Sequence, residues 1–124
     1  MSFDVFFQGF LAGESSERGG AQMREVLAPH ISEEYEHFFR VRVGDGEADI
    51  YLHDGGMMAN HIEGRDPWDL LVLGARAANW VIIPVGCPTC LTQPDQMEEL
   101  PEALDKDVVV IETGADLRAV IESC

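Results

Sequence analysis

Two alternating runs joined by Asp45-Gly46 constrain the fold more than any other feature of this sequence. The segment reads FFRVRVGDGEADIYLH, residues 38–53. An Asp-Gly pair between alternating runs favours a type I′ turn, because glycine and aspartate tolerate the positive φ that this turn needs. Pairing Gly44 with Glu47 makes three apolar pairs on one side, which are Val43 with Ala48, Val41 with Ile50 and Phe39 with Leu52. The segment therefore predicts a β-hairpin with one side in the core.

The other side of this hairpin is polar in the same register. Arg42 then faces Asp49, an opposite-charge pair, and Arg40 faces Tyr51 in a cation–π arrangement. A slip of one residue would mix the two sides. We therefore expect a wet side lined by Arg40, Arg42, Asp49, Tyr51 and His53. It is a candidate surface for binding a partner, although antiparallel sheets commonly have one ordinary solvated side.

The rest of the chain alternates between strand and helix patterns. Period-2 or continuous apolar runs predict strands at residues 3–8, 57–62, 80–85 and 108–112, and helical spacing predicts helices at 21–28, 66–79, 95–100 and after residue 113. We expect one α+β domain over residues 1–124, with a mixed or antiparallel sheet and two or three helices packed on one face. A ferredoxin-like βαββαβ variant fits this order best.

Two of the helices carry clear start signals. Asp66 is expected to cap the first of them, with Pro67 at the first helical position and Asp69 in the first turn. Thr113 and Asp116 form a capping-box pattern before the last helix. These signals fix the beginnings of both helices.

The charge of the chain limits its partners. It has 23 Asp and Glu against 8 Lys and Arg in 124 residues, a formal net charge of −15. Such a surface repels nucleic-acid phosphates and anionic lipids, and it attracts basic proteins or cations. Solubility or tolerance of high salt explains the same composition.

The sequence also bears on location. The start, MSFDVFFQGF, has no basic segment of a secretory signal. No apolar run approaches the roughly 20 residues of a membrane helix. We therefore expect a cytoplasmic protein without a membrane partner, in which three cysteines do not suggest a disulfide framework.

Cys87 and Cys90 are the main candidates for chemistry. Their segment, CPTC, resembles the dithiol motifs of the thioredoxin and glutaredoxin families over four residues, which implies thiol–disulfide exchange. Pro94 lies where such families continue a helix, and the motif comes late in the chain. A zinc site would need His53 and His61 to complete four ligands. The third interpretation is two small apolar residues in a turn after a strand.

No complete catalytic set accompanies these residues. The histidines have no HExxH spacing, the serines have no nucleophile-elbow context, and no glycine-rich loop matches a phosphate cradle. No cofactor is implied. The general layout is similar to small acidic bacterial proteins of unknown function and to the looser group of toxin-neutralising immunity proteins. We therefore expect a non-enzymatic module, inhibitor-like or immunity-like, that binds a basic protein, with a thiol or metal function of Cys87 and Cys90 as the alternative and a homodimer left open.

Overall fold

The structure, a computed structural model, describes residues 3–124. Its strands are β1 Val5–Leu11, β2 Glu14–Ser16, β3 Ile31–Glu34, β4 Phe39–Val43, β5 Gly46–Leu52, β6 Gly56–Glu63, β7 Val81–Pro84, β8 Thr89–Leu91 and β9 Val108–Val110. Its α-helices are α1 Gly20–Leu27, α2 Asp66–Ala78 and α3 Gly114–Ser123, and short 3-10 helices cover Ala28–His30, Pro94–Glu99 and Glu102–Leu104. The sheet order is β3-β4-β5-β6-β1-β7-β8-β9, with β2 paired to β1. All pairs are antiparallel except β8 with β9, so the predicted α+β class with a mixed sheet is confirmed.

The main core contains residues of the sheet and of all three α-helices. Alternate strand residues such as Val5, Phe7 and Ile50 pack in one cluster with Met23 of α1, Leu71 of α2 and Leu117 of α3. The α2 helix lies centrally, since it contacts α1, α3 and strands β4, β5 and β6. Full burial of a side chain such as Leu71 contributes roughly 1.5–3 kcal/mol.

A second, smaller core lies on the other side of the sheet. Val81 and Leu91 pack there with Leu100, which follows the 3-10 helix Pro94–Glu99. Ile82, the neighbour of Val81, belongs instead to the main core. Because successive strand residues point to opposite sides, β7 is covered on both sides, as its continuous apolar run predicts. The predicted helix at residues 95–100 is this 3-10 helix.

The β4–β5 hairpin forms, but its register differs from the predicted one. Val43 pairs with Gly46, Val41 with Ala48, and Arg40 with Asp49. The turn is therefore Gly44-Asp45 instead of Asp45-Gly46. Gly44 has φ 54, whereas Asp45 has no positive φ, so only the first central residue needs glycine. The shift is two residues, which preserves the sides, and Val41 and Ile50 are fully buried as predicted.

Several short strands are absent from the sequence prediction. A two-residue turn with positive φ at both Ala12 and Gly13 folds β2 back on β1. Alanine rarely adopts this conformation, so the turn carries no sequence signal. Strands β3 and β8 likewise have no counterpart among the predicted strands. At the edge, Val110 of β9 is exposed, although its segment predicts a buried strand.

The start of α2 is held by a residue from the hairpin turn. The carboxylate of Asp45 accepts hydrogen bonds from the backbone N–H of Arg65 and of Asp66. Asp66, the predicted cap, is instead the first helical residue. The predicted capping box of α3 is confirmed, because Thr113 Oγ1 accepts from the N–H of Asp116, and Asp116 Oδ2 accepts from the N–H of Thr113.

A disulfide joins two distant parts of the chain. Cys87, in the β7–β8 turn, is bonded to Cys124 after α3, with 5.4 Å between their Cα atoms. The three cysteines did not suggest a disulfide in the sequence, so this bond corrects that expectation. Cys124 is exposed. Within residues 3–124, no helix is long and apolar enough to cross a bilayer.

Candidate protein-binding face

The polar side of the hairpin continues across four strands as one surface. We call it the open face, and its members alternate with buried core residues along β1, β4, β5 and β6. They are Phe6, Arg40, Arg42, Glu47, Asp49, Tyr51, Met58 and Asn60. The pleat of the sheet explains this division, because each of these side chains lies one position from a residue of the main core.

A polar row crosses the open face in register. Glu33 pairs with Arg40, Arg40 with Asp49, and Asp49 with Asn60 on adjacent strands. The side-chain amide of Asn60 donates to Asp4 at 3.2 Å, which extends the row to the start of β1. The row therefore alternates acidic and basic or amide groups, an arrangement that stabilises cross-strand pairs.

Asp49 is the centre of this row. Its side chain is only 7% exposed, and its Oδ1 accepts a hydrogen bond from Arg40 Nε at 2.8 Å. The same contact raises the pKa of Arg40 above its usual value, since the hydrogen bond and the negative charge both favour the protonated guanidinium. A carboxylate this deeply placed requires such a partner.

His61 joins Asp49 because of an irregularity in β6. Regular alternation after Ala59 and Asn60 would direct His61 toward the core. A bulge opposite Ala48 and a φ of 49 at His61 reverse its direction. As a result, Nδ1 of His61 lies 3.0 Å from Asp49 Oδ2, and its side chain is 61% exposed.

Further carboxylates surround these groups. Glu47 approaches both arginines, with its Oε2 at 3.8 Å from Nε of Arg40 and at 3.4 Å from Nη2 of Arg42. Glu33 lies 3.6 Å from Nη1 of Arg40. A shallow cavity of about 280 Å³ lies between Arg40, Glu47, Asp49, His61 and Glu63. Acidic groups thus outnumber the basic ones, and both arginines already have carboxylate partners.

An apolar row runs beside the polar one. Tyr51 pairs with Met58, Met58 with Phe6, and Phe6 with Ile83 on four adjacent strands. Phe6 is 43% exposed, and the other three are partly exposed. Contiguous apolar groups on a surface rimmed by polar residues are typical of interaction sites.

Stacked rings extend this row at the edge of the sheet. The ring of Phe38 lies between Tyr51, at 5.0 Å between centroids, and Tyr35, at 4.6 Å. The N–H of Tyr35 donates to the carbonyl of Phe38, so a tight turn holds the rings of Tyr35 and Phe38 together. The hydroxyl of Tyr35 donates to the carboxylate of Glu33, which raises the pKa of Tyr35. We call Tyr35, Phe38 and Tyr51 the aromatic stack.

Four of the five predicted surface residues lie together on the open face. They are Arg40, Arg42, Asp49 and Tyr51, although the observed partner of Asp49 is Arg40 instead of Arg42. His53 lies just after β5, at the opposite end of the strand from Glu47, where its N–H donates to the carbonyl of Gly56. His61, proposed above only as a metal ligand, contacts Asp49.

The remaining members of the face were not predicted. The period-2 pattern of residues 3–8 placed Phe6 opposite the core side, and this was the available signal for the apolar row. Nothing local indicated that β1 and β6 lie next to each other, which is what brings Phe6 and Met58 together.

Cys87 and Cys90 are not bonded to each other in the structure. Cys87 is bonded to Cys124, whereas Cys90 is fully buried in the middle of β8. Burial raises the pKa of the Cys90 thiol to about 12, far from the range of a reactive thiolate. His53 and His61 lie by β5 and on β6, with β1 and β7 between these strands and β8.

Neither a metal-binding cluster nor a known relative identifies this site. Across the part of the chain that the structure describes, no group of three or more His, Cys, Asp or Glu residues is arranged to hold a metal ion. Comparison with protein families, with characterised proteins and with solved structures gives no match to this chain. The side chains of the open face are therefore the basis for assigning a function.

Proposed function

We propose that this chain is a protein-binding module that docks a positively charged partner protein on the open face. The observation that carries the proposal is the apolar row Phe6, Met58 and Tyr51, which lies partly exposed beside a carboxylate-rich row. Protein interfaces commonly combine an apolar centre with a polar rim. The formal net charge of −15 selects for a basic partner.

The two rows have different roles in this proposal. Aromatic and methionine side chains are enriched at the centres of interfaces, where their burial provides most of the affinity. Carboxylates around them, such as Glu33, Glu47 and Glu63, accelerate encounter with a basic surface and reject acidic ones. The affinity should therefore depend on the apolar row, and the association rate on the acidic residues.

The polar row also provides a rigid surface. Arg40 is held between Asp49, Glu33 and Glu47, so its positive charge is neutralised inside the face. Side chains that are already fixed lose little conformational entropy on binding. This arrangement presents a preformed, negatively charged surface to a partner.

Capture from cell extract with matched variants tests the proposal. Met58→Arg introduces a positive charge into the apolar row, whereas Leu73→Arg makes the same charge change on the outer surface of α2, where Leu73 is exposed. We expect the wild type and Leu73→Arg to retain the same basic protein, and Met58→Arg to lose it. Equal capture by both variants, or captured proteins without net positive charge, would refute the assignment.

We also propose that the centre of the sheet is an elaborated ferredoxin-like fold. The order β7-β1-β6-β5, with each neighbour antiparallel, supports this, because α1 follows β1 and α2 joins β6 to β7. A ferredoxin-like sheet has the same chain order of strands and helices. Strands β3 and β4 then extend one edge, and β8 and β9 the other. An experimental structure with another strand order would contradict this proposal.

We also propose a cytoplasmic location for this chain. The bond between Cys87 and Cys124 gives a direct test, because disulfides persist mainly in oxidising compartments. Alkylation of thiols in intact cells before lysis measures the state of this pair. We expect both thiols to be alkylated in a cytoplasmic protein, and protection of both would place the chain in an oxidising compartment.

A further inference from the structure

We infer that the aromatic stack recognises arginine side chains of the partner, so that the open face distinguishes arginine from lysine. This inference rests on the proposed function, and it specifies the chemistry by which the partner is bound. The stack consists of Tyr35, Phe38 and Tyr51, with ring centroids 4.6 and 5.0 Å apart. Tyr35, its outer ring, is 46% exposed.

The geometry of the stack suits a planar cation. The three rings are nearly parallel, with interplanar angles of 18° and 23°. A guanidinium continues such a stack, because it is flat, weakly hydrated and attracted to the face of an aromatic ring. An ammonium group lacks this planarity and retains its water more strongly.

Two carboxylates, Glu33 and Glu36, flank the outer ring of the stack in the sequence. Glu33 accepts a hydrogen bond from the hydroxyl of Tyr35 and also lies 3.6 Å from Nη1 of Arg40. Glu36, one residue beyond Tyr35, has a side chain that is 87% exposed. Arginine donates two parallel hydrogen bonds to one carboxylate, which a lysine cannot do. The stack and these carboxylates together form a site for a stacked, hydrogen-bonded arginine.

An arginine of the chain itself already shows this mode of binding. The guanidinium carbon of Arg24 lies 5.1 Å from the ring centroid of Phe39, and Nη1 of Arg24 is 3.9 Å from Glu34. Phe39 is adjacent to Phe38, and Glu34 is adjacent to Tyr35. At this edge of the sheet, one arginine of the chain itself therefore lies between a ring and a glutamate. The same edge also presents a second ring and further glutamates to solvent.

Two peptides of equal length and charge test the inference. One alternates arginine with glycine and the other lysine with glycine, and both are titrated against the protein at physiological ionic strength, where nonspecific attraction is screened. We expect the arginine peptide to bind about two- to fivefold more tightly for each stacked guanidinium. Tyr35→Leu and Phe38→Leu keep an apolar side chain but remove the ring, and should bring this ratio close to one. Phe3→Leu makes the same change at an exposed residue outside the open face and should leave the ratio unchanged.

The outcomes separate the inference from the proposed function. A ratio near one in the wild type, with binding that Met58→Arg still weakens, overturns arginine recognition and leaves the docking face intact. A ratio that persists in Tyr35→Leu and Phe38→Leu also overturns it. If neither peptide binds, or if Met58→Arg and Leu73→Arg bind them equally, the proposed function fails as well. Circular dichroism of each variant confirms that it is folded.

Discussion

Asp45 in the β4–β5 turn accepts a hydrogen bond of 2.9 Å from the backbone N–H of Asp66, which is 21 residues later at the start of α2. Asp66 returns the contact, since its Oδ2 accepts from the N–H of Asp45 at 3.2 Å. This reciprocal pair fixes the hairpin against the central helix. It therefore sets the position of β4 and β5, which carry most of the open face.

We expect Asp45→Ala to lower the melting temperature, because it leaves the N–H groups of Arg65 and Asp66 without their acceptor at a helix start. Asp45→Asn should lose less, since its amide oxygen can still accept. Asp107→Ala, at an exposed position in the loop before β9, makes the same change of charge and serves as the control. A melting temperature equal to that of the control would contradict a capping role.

The effect of Asp45 should depend on pH with a definite sign. Hydrogen bonds from Asp66 and Arg65 lower the pKa of Asp45, so the folded state binds its proton less readily than the unfolded chain. The stabilisation is then complete above the unfolded pKa of about 3.9 and is lost as the pH falls through the folded value. Urea midpoints at neutral and acid pH measure this. The gap between wild type and Asp45→Ala should narrow only below about pH 4.

The turn predicts a difference between two glycines with similar backbones. Gly44 has φ 54 and Gly86 has φ 78, so alanine at either position carries strain of about 1–2 kcal/mol. A Cβ at Gly44 would also collide with the carboxylate of Asp66, whereas one at Gly86 would meet nothing within 4 Å. We expect Gly44→Ala to reduce the free energy of unfolding more than Gly86→Ala. Equal losses in chemical denaturation would show that Asp66 moves aside without cost.

The sequence predicted which strand residues face the core better than it predicted which residues pair across β4 and β5. Alternation in β4 and β5 correctly separated Val41 and Ile50 from Arg42, because the side-chain period of a strand is two. It did not fix the register, because a shift of two residues keeps the same sides. The actual choice depends on Asp45 reaching the helix start at Asp66, a contact that no local pattern reveals.

The site was predictable in part for the same reason. Arg40 and Asp49 were placed on one side by alternation, and they meet there. The approach of His61 required a bulge, which has no signature in NHIE, and the proximity of Phe6 to Met58 required knowledge of strand order. The disulfide of Cys87 with Cys124 depends on where α3 ends relative to the β7–β8 turn, a property of the whole fold.

A residue on the core side of the β4–β5 hairpin should respond very differently to truncation from a charged residue on the open face. Ile50 is fully buried in the main core, so Ile50→Ala should cost about 2–5 kcal/mol of unfolding free energy. Arg42 is exposed, and Arg42→Ala should change it by less than about 0.5 kcal/mol. Denaturant unfolding measures both. A large loss for Arg42→Ala together with a small one for Ile50→Ala would mean that the sides of the sheet are reversed.

The three cysteines predict a specific pattern of thiol labelling. In the oxidised native protein no thiol should react, because Cys87 is bonded to Cys124 and Cys90 is fully buried. Denaturation without reductant should expose one thiol, Cys90, and denaturation with reductant should expose three, which mass spectrometry counts after alkylation. The bond closes a loop across a sequence separation of 37, so reduction should lower the free energy of unfolding by about 2–4 kcal/mol. Cys124→Ser should lose the same unfolding free energy and should not be destabilised further by reductant. Cys90→Ala should still be destabilised by reductant. Labelling of Cys87 in the oxidised native protein would contradict the pairing.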